Sequence, residues 1–123
     1  MNQTKKIKIS IIIVNYNNAR YLKKSLETAL NQTYENKEII VIDDMSNDNS
    51  IEILKKYKKK IKFYVSKKKT KFGSYNQINC YHQGFKKSNG KYIFFLDSDD
   101  YYKIYKVKKV LSYFAKGLAK EII

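Results

Sequence analysis

This chain of 123 residues has one cysteine, one histidine, one arginine, no tryptophan and no proline. The single thiol, Cys80, cannot form an internal disulfide, and no Cys/His cluster has the spacing of a zinc site. A reducing compartment is therefore expected. Long hydrophobic runs are also missing. The basic stretch Met1 to Lys8 leads into Ile9–Val14, but six mostly apolar residues followed by Asn15-Tyr16-Asn17-Asn18 are too few for a secretion signal. Nowhere does an apolar run approach the ~18 residues that span a bilayer. The expected location is the cytoplasm, with peripheral contact at the inner membrane face left open.

Acidic residues are scarce: 11 Asp and Glu stand against 26 Lys and Arg, for a formal charge of +15. Arg20 is the only arginine, and the chain is heavy in Lys, Ile, Asn and Tyr, which share AT-rich codons. Nucleic-acid readers use Arg for bidentate contacts, so the charge reads as codon bias before it reads as nucleic-acid binding. A basic nucleic-acid-binding module remains the main rival, because 12 tyrosines are available for stacking. Against it, many aromatics fall in strands or on inner helix faces. With 43% hydrophobic residues the chain can build a real core, and its length suits one domain, 1–123.

The β-branched run Ile7–Val14 predicts a strand buried on both faces. Asn18 is placed to cap a helix whose stripe is Leu22, Leu26, Ala29 and Leu30. Glu38–Ile42 predicts a second buried strand, and the connection is long enough for a parallel crossover. After the turn Asp43–Asp48, Asn49 and Glu52 have capping-box spacing before a helix with Ile51, Leu54 and Tyr57 inward. Ile61, Phe63 and Val65 alternate with Lys62, Tyr64 and Ser66 as a third strand. A basic loop, Lys67 to Gly73, precedes a helix with the stripe Ile78, Tyr81, His82 and Phe85, closed by Ser88-Asn89-Gly90. His82 on that stripe reads as a core histidine, and Lys67 to Lys71 as a solvated loop. Tyr92–Leu96 is the fourth strand. In the tail, Ile104, Val107, Leu111, Phe114 and Leu118 recur at helical spacing opposite lysines, a face that either packs on the sheet or seeks an anionic membrane or a second copy. The alternation predicts an α/β layer fold with a mostly parallel sheet, whose sites lie beyond the carboxyl ends of its strands.

Five of the 11 acidic residues lie there: Asp43 and Asp44 after the second strand, and Asp97, Asp99 and Asp100 after the fourth. From Ile53 to Leu96 there is no acidic residue at all. Such grouping is costly unless something positive sits between the carboxylates. Hard oxygen ligands suit Mg²⁺ or Mn²⁺, which complete their shell with phosphate oxygens, so a metal-diphosphate site is expected. The plainer alternative is that Asp43, Asp48, Asp99 and Asp100 are turn and cap residues.

Three segments in order resemble the family-2 glycosyltransferases of the GT-A fold, which move a sugar from a nucleotide diphosphate to an acceptor. Ser10–Asn17 is similar to the family's first strand and Tyr-Asn turn. Asn31-Gln32-Thr33-Tyr34 with Glu38–Ser46 is similar to its second segment, and Gly90–Asp100 to the segment holding the DxD motif. The resemblance implies a three-layer α/β/α, Rossmann-like nucleotide-binding half, a UDP-sugar as donor, a glycan, lipid or other acceptor, and Mn²⁺ or Mg²⁺ as cofactor. It gives Asp44, with Asp43 beside it, a hydrogen bond to the base. Tyr16 and Asn17 would flank the nucleotide, and Asp97 and Asp99 would be the DxD pair that faces the ribose and the cation.

Val14 stands where many members have Pro, and Tyr81-His82 where an Arg-Asn pair is frequent. Members also continue past the DxD segment into a half that supplies the acceptor groove and the general base. The resemblance therefore implies a chain truncated after the DxD segment, as a shortened gene, an expressed fragment or a subunit completed by another chain, that carries no base of its own and transfers sugar poorly alone. Against a dinucleotide binder, no GxGxxG follows the first strand.

Overall fold

Four runs rich in β-branched and aromatic residues become strands, each joined to the next through a helix. The structure, a computed structural model, describes residues 7–67 and 71–116. Its elements are β1 (Ile9–Asn15), α1 (Ala19–Leu30), β2 (Lys37–Asp43), α2 (Ser50–Lys56), β3 (Lys62–Val65), α3 (Gly73–Lys87), β4 (Tyr92–Asp97) and α4 (Lys106–Ala115). The strands form one parallel sheet in the order β3-β2-β1-β4. All seven residues of β1 are buried, because it lies between two strands and under helices on both faces.

Alternation along β1 divides the core. Ile9, Ile11 and Ile13 belong to a cluster with Leu22, Leu26 and Ala29 of α1, Leu54 of α2, and Val107 and Leu111 of α4. On the other face, Val14, Ile40 and Ile42 meet Cys80 of α3. The α1 stripe is as expected, with Leu30 only partly buried. The tail stripe packs on the sheet through Val107 and Leu111, and Phe114 stacks on Tyr92 at 5.0 Å. Ile104 stays exposed, and Leu118 lies outside the described residues.

The expected apolar stripe of α3 is not its buried face. Ile78 and Phe85 are 67% and 56% exposed, Tyr81 is half-buried, and His82 is exposed, not a core histidine. Among the described side chains of this helix, the buried residues are Asn76, Cys80 and Gly84, at four-residue spacing. Small residues prevail here because the helix lies very close to the sheet: a Cβ on Gly84 would stand 2.5 Å from Ile12 Cγ2. The third strand differs too. Val65 is 45% exposed while Ser66, expected outward, is buried. The strand ends at Val65, and Ser66 turns in to donate its N–H to the Asp43 carbonyl at 2.8 Å and accept from Gln83 Nε2 at 3.0 Å.

Neither expected cap uses its own side chain. Asp48 caps both helices instead, with Oδ2 accepting the Ala19 N–H at 3.0 Å and Oδ1 the Ser50 N–H at 2.9 Å. Burial opposes its charge, but these bonds outweigh burial and hold its carboxyl below the ordinary value. Another long-range tie starts at buried Gln32, whose amide donates to the Lys103 carbonyl at 2.8 Å and accepts the Val107 N–H at 3.1 Å. Tyr34 donates its hydroxyl to the Ile7 carbonyl. The Gln-Thr-Tyr segment is thus framework that fixes the start of α4 and the entry to β1.

Candidate functional site

The direction of winding reverses between β1 and β4. From β1 the chain steps outward through β2 to β3, then crosses the other face under α3 to lay β4 against the free side of β1. Such a reversal leaves a crevice beyond the carboxyl ends of the two strands. A cavity of about 290 Å³ lies there, with Val14, Tyr16, Asp44, Asn76, Asp97 and Asp99 in its wall. Gly73 and Gln77 of α3 close its far side.

Alternation decides which acidic residue reaches the cavity. Asp43 and Asp44 are neighbours at the end of a strand, so their side chains leave on opposite sides. Asp43 is fully buried and does not line the cavity. Its Oδ1 accepts from Asn15 Nδ2 at 2.8 Å and the Ser46 hydroxyl at 2.7 Å, and its Oδ2 from the Ser46 N–H at 2.8 Å. Asp44 turns toward α3, beside Cys80. Burial first, and then the Asp44 charge, pushes the Cys80 thiol up to about 12, so this cysteine stays protonated and unreactive.

Asn17, like Asp43, is a builder of the rim and not part of the wall. Its backbone is left-handed (φ 49°), which asparagine tolerates, and its Oδ1 accepts the N–H groups of Asn47 at 2.8 Å and Asp48 at 3.3 Å. Met45 also has positive φ (58°), a costlier conformation for its side chain, held by the Ser46–Asp43 bonds on one side. Tyr16, 45% exposed, projects from this clamped rim into the cavity.

At β4 the spacing of Asp97, Ser98 and Asp99 has a structural reason. Ser98 points inward: it is buried, its N–H donates to the Val14 carbonyl at 3.2 Å, and its hydroxyl accepts from Asn18 Nδ2 at 3.1 Å. The turn closes with the Asp100 N–H donating to the Asp97 carbonyl at 2.9 Å. Carboxylate oxygens of Asp97, Asp99 and Asp100 consequently gather within 4.8 Å of one another. Among the described residues no ion pair reaches any of them. Clustered oxygen donors open to solvent are a donor set that fits a hard divalent cation.

Gln77 escaped the sequence reading, and Tyr81 entered it only as a stripe residue standing where the family frequently has Arg. Tyr81, placed on an apolar stripe by its spacing, donates its hydroxyl to Asp97 Oδ1, and Gln77, one turn earlier, donates Nε2 to the same oxygen at 3.2 Å. Burial and the charge of Asp97 push the Tyr81 hydroxyl well above its ordinary value. The available signal was polar: Gln77 and Tyr81 are four apart on α3 and so project from one side of that helix.

The sequence and the fold match known proteins. The sequence model of Glycosyl transferase family 2 matches residues 10–120, and the chain belongs to that family. The poly(ribitol-phosphate) beta-N-acetylglucosaminyltransferase TarP of Staphylococcus aureus (strain N315) is 40% identical over 97 residues, which are 76% of this chain and 28% of TarP. WfaP of Escherichia coli, a UDP-Glc:alpha-D-GlcNAc-diphosphoundecaprenol beta-1,3-glucosyltransferase, is 37% identical over 105 residues, 85% of this chain and 40% of WfaP. The crystal structure of S. aureus TarS 1-349 in complex with UDP-GlcNAc superposes with a TM-score of 0.71 at 27% identity, over 89% of this chain and 32% of that one. The chain spans about a third or less of the first curated relatives it matches, 33%, 13%, 28% and 34% of their lengths. No helix among the described residues is long and apolar enough to cross a membrane.

Proposed function

We propose that this chain carries the donor site of a glycosyltransferase that moves a sugar from a nucleotide diphosphate, in first place UDP, to a glycan, lipid or other acceptor, with Mn²⁺ or Mg²⁺ at Asp97 and Asp99. The observation that carries this reading is the convergence of Asp44, Asp97 and Asp99 on one cavity at the β1–β4 reversal. TarS bound to UDP-GlcNAc and WfaP named for UDP-Glc support the uridine nucleotide.

In this reading Asp44 accepts a hydrogen bond from the base, and Tyr16 covers the base from the rim. Asp43 and Asn17 serve the nucleotide indirectly, by fixing the loops that carry these two. Asp97 meets the ribose or the cation, and Asp99 ligates the cation. When bound, the cation supplies Lewis-acid stabilisation of charge on the leaving diphosphate. The described residues hold and orient the donor, and the acceptor's proton is left to a group outside them. Peripheral contact with an anionic membrane belongs to the same proposal. Its support is a groove of about 550 Å³ lined by Tyr101, Tyr105 and Tyr113 together with Lys103, Lys106 and Lys109.

Calorimetric titration of UDP with and without Mn²⁺ tests the donor site. Metal and nucleotide should each strengthen the other by the same factor. Asp99→Asn should abolish the metal-dependent gain, whereas Asp44→Ala should weaken UDP in both conditions by about 0.5–1.5 kcal/mol, more if the bond is charge-assisted. UDP affinity indifferent to metal and to both substitutions would reduce these carboxylates to turn residues.

A further inference from the structure

Among the described residues, Asp97 is the one member of the acidic cluster whose carboxylate another element holds. Tyr81 and Gln77 both donate to its Oδ1, and both come from α3. The Tyr81 ring stands edge-on against Phe95 of β4, with centroids 5.2 Å apart and planes at 89°. That packing fixes the direction from which the hydroxyl reaches the carboxylate. Gln77 also lines the cavity, so the clamp forms part of the wall. Both donors are neutral, and no ion pair reaches the cluster among the described residues, although the chain carries a formal charge of +15.

We propose that Tyr81 is a positioning residue: it anchors Oδ1 of Asp97 so that Oδ2 is offered to a divalent cation, and because it is neutral it leaves the cluster's charge for that cation to meet. This inference rests on the donor-site reading above. Outer hydrogen bonds of this kind orient a ligating carboxylate, and their loss commonly lowers metal affinity 10–100-fold. A cationic side chain at the same position would occupy Asp97 itself and replace part of what the metal does. Added metal thereby strengthens nucleotide binding by this chain more than it would with a cation at that position.

The test measures Mn²⁺ binding by electron paramagnetic resonance with UDP present, and UDP binding by calorimetry with and without Mn²⁺, for the wild type, Tyr81→Phe and Tyr81→Arg. Tyr81→Phe keeps the ring against Phe95 and removes only the hydroxyl, so its melting temperature serves as the control for folding. Expected are a loss of about tenfold or more in Mn²⁺ affinity for Tyr81→Phe, and for Tyr81→Arg tighter metal-free UDP binding with a smaller gain on adding Mn²⁺. Should Tyr81→Arg fail to fold, the Mn²⁺ titration of Tyr81→Phe alone decides. Unchanged Mn²⁺ affinity in Tyr81→Phe, or an undiminished metal gain in folded Tyr81→Arg, would overturn the role of Tyr81 while leaving the donor site standing. Failure of the wild type to bind UDP in either condition would instead overturn the donor site.

Discussion

The two ends of the sheet handle negative charge in opposite ways. At the amino end, buried Glu38 accepts from the Ser10 hydroxyl at 2.5 Å and the Asn89 N–H at 2.7 Å, and it pairs with Lys62 at 3.2 Å and Lys8 at 3.7 Å. Gly90 lies so near that a Cβ there would stand 2.5 Å from the Ser10 nitrogen. At the carboxyl end, Asp97, Asp99 and Asp100 crowd within 4.8 Å with no ion pair among the described residues. One end spends its carboxylate on cohesion, and the other keeps three unneutralised. In a chain with cations to spare, that difference is what the donor site proposed at the carboxyl end requires.

The largest effect should come from breaking the closed end. Glu38→Ala takes away the acceptor of two hydrogen bonds and the partner of two lysines, and should cost roughly 2–3 kcal/mol of stability. Denaturant unfolding measures it, and UDP affinity measured on the folded fraction should not change. The same carboxylate sets an acid limit. Burial raises the cost of its charge, yet the Asn89 N–H, the Ser10 hydroxyl and Lys62 and Lys8 outweigh burial and hold its carboxyl below the ordinary glutamate value. The stabilisation is therefore full above the unfolded-state pKa and is lost as pH falls through the lower folded value. A plot of unfolding free energy against pH should show a steeper acid slope in the wild type than in Glu38→Ala, which keeps the part contributed by Asp48.

A middle-sized effect should follow at Asp48, an acidic residue at the carboxyl end that behaves like those of the amino end. It satisfies the first turns of α1 and α2 together, so Asp48→Ala should cost about 1–2 kcal/mol by thermal or denaturant unfolding. Loss within the range of a neutral surface change would mean that solvent satisfies those N–H groups equally well.

What the sequence disclosed follows this division. The buried strands were legible because β1 and β2 are β-branched runs covered on both faces, and the α1 stripe because large apolar residues face a thick core. Both acidic clusters were legible because scarcity made them conspicuous. The buried side of α3 was hidden, since close approach to the sheet selects Asn76, Cys80 and Gly84 for small size, against the hydrophobic signal. Pairings across the chain, such as Asp48 with Ala19 or Tyr81 with Asp97, leave no periodic trace. The separate fates of Asp43 and Asp44 were latent in the alternation of a strand, and needed only its last residue to be known.

The smallest effect should have the opposite sign. Asp99→Asn removes one of three clustered charges while keeping the shape of the side chain, so without metal it should stabilise the protein. These groups are exposed or half-exposed, and solvent screens them, which limits the gain to about 0.5 kcal/mol or less. The gain should fade as salt is raised toward 1 M, where the Debye length is about 3 Å. Mn²⁺ with UDP should then reverse the order, because a ligand that binds only the folded state stabilises the wild type in proportion to its affinity and the variant little. Thermal unfolding of both proteins at low and high salt, with and without Mn²⁺ and UDP, distinguishes the cases. A variant less stable than the wild type in every condition would show that Asp99 contributes to cohesion, and the contrast between the two ends of the sheet would fail at that residue.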